Sequence, residues 1–101
     1  MNTAKSVNGV MIRLPAERWV HITEEHAEMA GYLYDVLETI QEPLTIFEGN
    51  SSELLAAREI ENGKFIIVVY RELSKEDGFV ITAFLTKRWK QIERRKKIWQ
   101  R

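Results

Sequence analysis

The chain contains no cysteine. That absence excludes a disulfide, a thiolate metal site and a thiol nucleophile, and it is compatible with a reducing compartment. Proline occurs only at Pro15 and Pro43, and no linker, internal repeat or low-complexity block interrupts the sequence. The longest dense apolar stretch, Phe65 to Tyr70, is six residues, far below the roughly 20 needed to span a bilayer. The opening MNTAKSVNG has no apolar centre, so no secretory leader is expected and a cytoplasmic location is. There is no P-loop, no Gly-x-Gly-x-x-Gly and no Gly-x-Ser-x-Gly, which removes the commonest phosphate-cradling and nucleophile-elbow chemistries. Glutamates are plentiful, yet no pair stands apart from what solvated helix faces would carry.

What remains is unevenly distributed charge. Residues 87–101 hold eight of the fifteen Lys and Arg residues against one acid, Glu93, a net of +7. Residues 1–86 hold seven basic and fourteen acidic residues, a net of −7. The overall zero therefore conceals a dipolar molecule with one cationic end. Clustered cations concentrate polyanions and bind phosphate backbone by counterion release, although the same tail could neutralise the acidic body or dock an acidic protein.

A chain of 101 residues with 45% hydrophobic content is expected to form one domain with a single modest core. Val10–Leu14 is a short strand stopped by Pro15, and Ala16–His26 is a helix with Trp19, Ile22 and His26 on one face. Met29, Leu33, Val36, Leu37 and Ile40 give a second helix over Glu28–Gln41, weakened at Gly31 and ended by Pro43. Four strands follow: Leu44–Glu48, Leu54–Glu61, Lys64–Glu72 and Phe79–Thr86. Asn62-Gly63 between the middle two is a type I′ hairpin signal, since both residues tolerate positive φ. The last fifteen residues are expected as a basic helix with Trp89, Ile92 and Trp99 along one side. The fold class is therefore α+β: two N-terminal helices packed on a four-stranded antiparallel sheet, with a basic C-terminal helix.

If the helices cover one sheet face, a site belongs on the other. Alternation on the last strand puts Phe79, Ile81, Ala83 and Leu85 in the core, leaving Val80, Thr82, Phe84 and Thr86 towards the open side. Thr82 and Thr86 thus place hydroxyls around an aromatic ring. Arg58 stands in the small apolar row of Leu54, Ala56 and Ile60, where its planar fork suits a phosphate or an ion pair. Arg71 lies at a strand end as a rim residue. The two histidines, His21 and His26, are five helical positions apart and so about 140° around the axis, poor geometry for a shared metal. No metal site is expected. His26, on the stripe of Trp19 and Ile22, reads first as a buried, satisfied histidine, and His21 as a surface one beside Arg18 and Glu25; either could still work alone as a proton carrier.

The stretches RWVHITEEHAEM (18–29), LLAAREIENGKFIIVVYRE (54–72) and DGFVITAFLT (77–86) resemble, in that order, the phage-associated branch of the barnase–EndoU–colicin–RelE-like nuclease superfamily. The resemblance covers roughly residues 12–99, and Ala27 stands where that family has proline. It implies N-terminal helices on a four-stranded antiparallel sheet, as a single RelE-like or barnase-like nuclease domain. It further implies a metal-independent endoribonuclease without cofactor, with RNA and an antitoxin protein as partners. In that frame His21 or His26 is the general acid or base, Arg58 neutralises the phosphate, and Thr82 bonds the phosphate or the proton carrier. Arg71, Thr86, Lys87 and Arg88 are the expected substrate-binding residues around them. A non-catalytic RNA- or protein-binding module is the alternative.

Overall fold

The computed structural model describes residues 2–101. Strand β1 (Asn2–Lys5) and strand β2 (Met11–Leu14) form an antiparallel hairpin. Helix α1 (Ala16–Glu25), a 3-10 turn (Ala27–Met29) and helix α2 (Leu33–Gln41) follow. Then come β3 (Thr45–Glu48), β4 (Leu54–Glu61), β5 (Lys64–Glu72), β6 (Gly78–Thr86), a short α3 (Trp89–Ile92) and β7 (Lys97–Gln100). The seven strands make one sheet in the order β1-β2-β6-β5-β4-β3-β7. All neighbours are antiparallel except β2 and β6, which run parallel.

The α+β class thus holds, but the four-stranded antiparallel sheet and the C-terminal helix do not. The sheet is seven-stranded and mixed, and the basic segment contains one helical turn followed by an edge strand. The reason lies in where its tryptophans go. Trp89 packs with Ile92 against Phe47, Leu55, Ala57, Phe65 and Ile67 on one sheet face, whereas Trp99 joins the core beneath α1 and α2 on the other. No single straight helix can send side chains to both faces of a sheet. Eight like charges against one acid would also repel along it at three- and four-residue spacings. The chain instead turns after Ile92, with the Arg95 N–H donating to Ile92 O at 3.1 Å, and β7 pairs with the otherwise open edge of β3.

The second expected helix is divided. The 3-10 turn ends at Met29, and Gly31 at φ +90° reverses the chain before α2 begins, a conformation glycine adopts without steric cost. Helix α2 buries Val36 and Ile40 with Leu33 and Leu37 beside them, the three- and four-residue spacing of an amphipathic helix. It lies over β1, β4 and β5, while α1 and the 3-10 turn lie against β6.

The main core joins these helices to Ile12, Leu14, Ile46, Ala56, Ile66, Val68, Tyr70 and Val80. Gly78 permits the parallel contact of β2 with β6: a Cβ there would stand 2.5 Å from Arg71 O and 2.6 Å from Ile12 Cδ1. Between β5 and β6 the register slips, with Tyr70 opposite Val80 but Val69 opposite Thr82. Ile81 is therefore an extra residue, and sides exchange across it. Val80, expected on the open face, enters the helix-side core together with Ala83. Thr82 and Phe84 keep the opposite side, alongside Val69. No helix among the described residues is long and apolar enough to cross a membrane.

Candidate functional site

Strand β6 is covered by β2 only at Gly78 and Phe79. Beyond that point α1 and the 3-10 turn, rather than another strand, lie beside it. His26 is the residue at this junction. Its N–H closes α1 on Ile22 O at 2.8 Å, and its carbonyl accepts from the Met29 N–H at 2.9 Å. The backbone is thus held on both sides of the imidazole. The ring reaches Phe84, 5.9 Å between centroids and tilted by 37°, with Nδ1 3.7 Å from Glu28 Oε2.

Phe84 has Thr82 and Thr86 two residues to either side on the same face, roughly 7 Å away each way along the strand. Thr82 Oγ1 is buried and meets no hydrogen-bond partner among the described residues. Thr86 Oγ1 accepts from the Arg88 N–H at 3.0 Å, turning the chain off the sheet. Lys87 and Arg88 are exposed immediately after it. An imidazole, two hydroxyls and two cations are thereby gathered along the outer half of β6. Imidazole can take up and release a proton, hydroxyls can donate to phosphate oxygens, and the cations can offset phosphate charge.

Other expected site residues are not brought there. Arg58 lies opposite Ile66 on the helix-covered face and is engaged by the Glu38 carboxylate of α2. It shares a rim with Glu42, Leu44, Glu59 and Arg101, on the other side of the sheet from Thr82. The small apolar row around Arg58 is core facing α2, and the cation finds its partner at that helix's edge. Arg71 pairs with Phe79, at the far end of the β5–β6 ladder from Thr86. It donates to Ser51 O at 2.9 Å and braces the turn before β4. In that turn the Ser51 N–H bond, helped by nearby Arg71 and Arg95, holds the Glu53 carboxyl below its ordinary range. His21 is exposed, with Nδ1 3.8 Å from Glu24 Oε1. It borders a shallow hollow of about 290 Å³ with Arg13, Arg18 and Phe79. The two histidines therefore address opposite ends of β6, as their angular separation on α1 implies.

The sequence reading missed an aromatic pair. Trp89 stacks on Phe65 at 4.2 Å and 20°, and meets Phe47 edge-on at 5.6 Å. Phe65 is directly opposite Thr86 in the ladder, so the stack adjoins the hydroxyl end of the site. Period-2 alternation places Phe65 on that face. Trp89, read as part of a long helix, gave no sign of crossing to it. Among the described residues no three His, Asp or Glu side chains cluster as metal ligands would.

No family model, curated protein or solved structure matches the chain.

Proposed function

We propose that the protein is a metal-independent endoribonuclease that cleaves RNA through the substrate's own 2′-hydroxyl. The observation that carries this reading is the His26 imidazole lying against Phe84, between Thr82 and Thr86, where the chain leads straight into Lys87 and Arg88. In the reaction the 2′-oxygen attacks phosphorus and its proton passes to His26. The bond to the 5′-oxygen breaks, and that oxygen takes up a proton from solvent water while His26 later releases its own to solvent. The products are a 2′,3′-cyclic phosphate and a 5′-hydroxyl. Thr86 would donate to a non-bridging oxygen, and Lys87 and Arg88 would offset the pentavalent charge, while the buried Thr82 hydroxyl lies beneath the surface a phosphate can reach. Arg58 has no part in this version. Incubating RNA with the protein in a chelator and identifying the new ends tests the proposal: cyclic phosphate ends support it, and intact RNA counts against it. A role as toxin of a toxin–antitoxin pair, or as a phage-associated effector, extends the same reading. Growth arrest on induced expression, relieved by a co-expressed antitoxin, is its test.

The second reading is a non-catalytic RNA-binding module. It is favoured by the Arg58–Glu38 pair, which holds the arginine expected at the phosphate on the opposite sheet face from Thr82 and Phe84. Tight RNA binding without new ends would select it.

A further inference from the structure

Two concavities flank α3, and Gln91 borders both. One, of about 530 Å³, is formed by the Phe65–Trp89 stack with Lys87, Arg88 and Lys90, and has Glu93 at its margin. Its size lies within the roughly 300–1,000 Å³ of small-molecule sites. The other, of about 400 Å³, is bordered by Arg94, Arg95 and Lys96 with Glu48 opposite. Six cations thus face two carboxylates along one continuous path. The protein's ion pairs are made elsewhere: Arg13 with Asp77, Arg58 with Glu38, Arg101 with Glu42. Among the described residues none of the six is in an ion pair; Arg95 donates to Asn50 Oδ1 at 3.4 Å and lies near the Glu53 carboxylate, and the other five have no hydrogen-bonded acid.

We propose that this collar around α3 is a binding track for a single-stranded RNA segment. A base stacks at Trp89, and the neighbouring phosphates run past Lys87, Arg88 and Lys90 towards Arg94 and Lys96. The proposal rests on the cleavage reading for its purpose, as the track begins where Thr86 ends and would hold nucleotides next to the cut site. Its chemistry is independent of that reading. An acidic protein would use the cations but has no need of a flat ring held parallel to a second ring. Single strands use both, since aromatic stacking and a cationic groove together are how proteins hold them without reading sequence.

The test uses the full chain and an eight-nucleotide, fully 2′-O-methylated oligonucleotide, which lacks the attacking hydroxyl. Binding is thereby read whether or not the protein cleaves. Wild type should bind with an affinity that falls steeply with salt. Trp89→Leu, which keeps an apolar cover over Phe65, should weaken binding about tenfold or more at constant salt. Arg94→Gln with Lys96→Gln, both on exposed residues, should lower the slope of log K against log salt by about 1.4 for two lost phosphate contacts. Thermal unfolding of each variant establishes that the fold persists. The track is refuted if the oligonucleotide does not bind, or if a folded Trp89→Leu binds it as wild type does. It is equally refuted if poly-glutamate of matched charge displaces the strand as well as a second strand does. Binding that follows these expectations without any cleavage of unmodified RNA would keep the track and remove the nuclease.

Discussion

Arg58 and Thr82 lie on opposite faces of one sheet. Arg58, across from Ile66, is engaged by Glu38 of α2, and Thr82, across from Val69, lies on the side of Phe84 and Trp89 with its hydroxyl buried. A reacting phosphate cannot touch both. The chemistry must therefore be assembled from what the outer half of β6 collects.

Arg58→Ala is accordingly expected to leave RNA binding and cleavage unchanged. It should cost about 0.5–1 kcal/mol of stability, because the pair with Glu38 is half exposed and screened by solvent. Urea unfolding compared with a cleavage assay on the same preparation checks both halves. A large loss of cleavage at unchanged stability would return Arg58 to the site.

Arg13 clamps the turn between β5 and β6. Its Nε is 2.7 Å from Asp77 Oδ1 and its Nη2 is 3.1 Å from Oδ2. The hydrogen bonds from Arg13 hold the Asp77 carboxyl below its ordinary range. A depressed carboxyl stabilises the fold fully above its unfolded value of about 3.9 and loses that contribution as pH falls through the folded value. Wild type and Asp77→Asn should therefore differ in stability at pH 6 and converge towards pH 3. A difference that persists unchanged at pH 3 would contradict the ion pair as its source.

The Tyr70 hydroxyl is buried and has no hydrogen-bond partner among the described residues. Burial, with Glu72 nearby, pushes its ionisation upward. Such a group favours the folded state less and less as pH rises past the ordinary tyrosine value of about 10. Tyr70→Phe should be neutral or stabilising by up to about 1 kcal/mol at pH 7 and should lessen the alkaline loss of stability. A loss greater than 1 kcal/mol at neutral pH would mean that the hydroxyl is bonded in solution.

Much of the fold was readable because local signals dominate it. Asn62-Gly63, with Gly63 at φ +77°, sits between strands Leu54–Glu61 and Lys64–Glu72 with the expected bounds. The apolar stripe of α2 is likewise plain in the residue spacing. The first hairpin carries the same dipeptide in its turn, Asn8-Gly9, with Gly9 at φ +79°, but lacks a strand signal on its first side. Its first strand, Asn-Thr-Ala-Lys, buries only Ala4 and has no alternation to read. The fate of the basic segment depended on distant partners: Trp89 on Phe65 and Lys97–Gln100 on β3. Composition could not distinguish that from a helix. At the site, the alternation that set Thr82, Phe84 and Thr86 on one side survived. The slip at Ile81, which moved Val80 into the core, is a pairing property that β6 alone does not display. An arginine in an apolar row has the same pattern whether it awaits a phosphate or a glutamate, so the row around Arg58 does not by itself distinguish the two.

The measurement that bears most directly on the central claim is the rate at which RNA acquires 2′,3′-cyclic phosphate ends in chelator, for wild type and for His26→Ala. The account predicts cleavage by wild type and a fall of about 10²- to 10⁴-fold in the variant, with His21→Ala little changed. Cyclic ends produced equally fast without the His26 imidazole, or none produced by wild type, would contradict it.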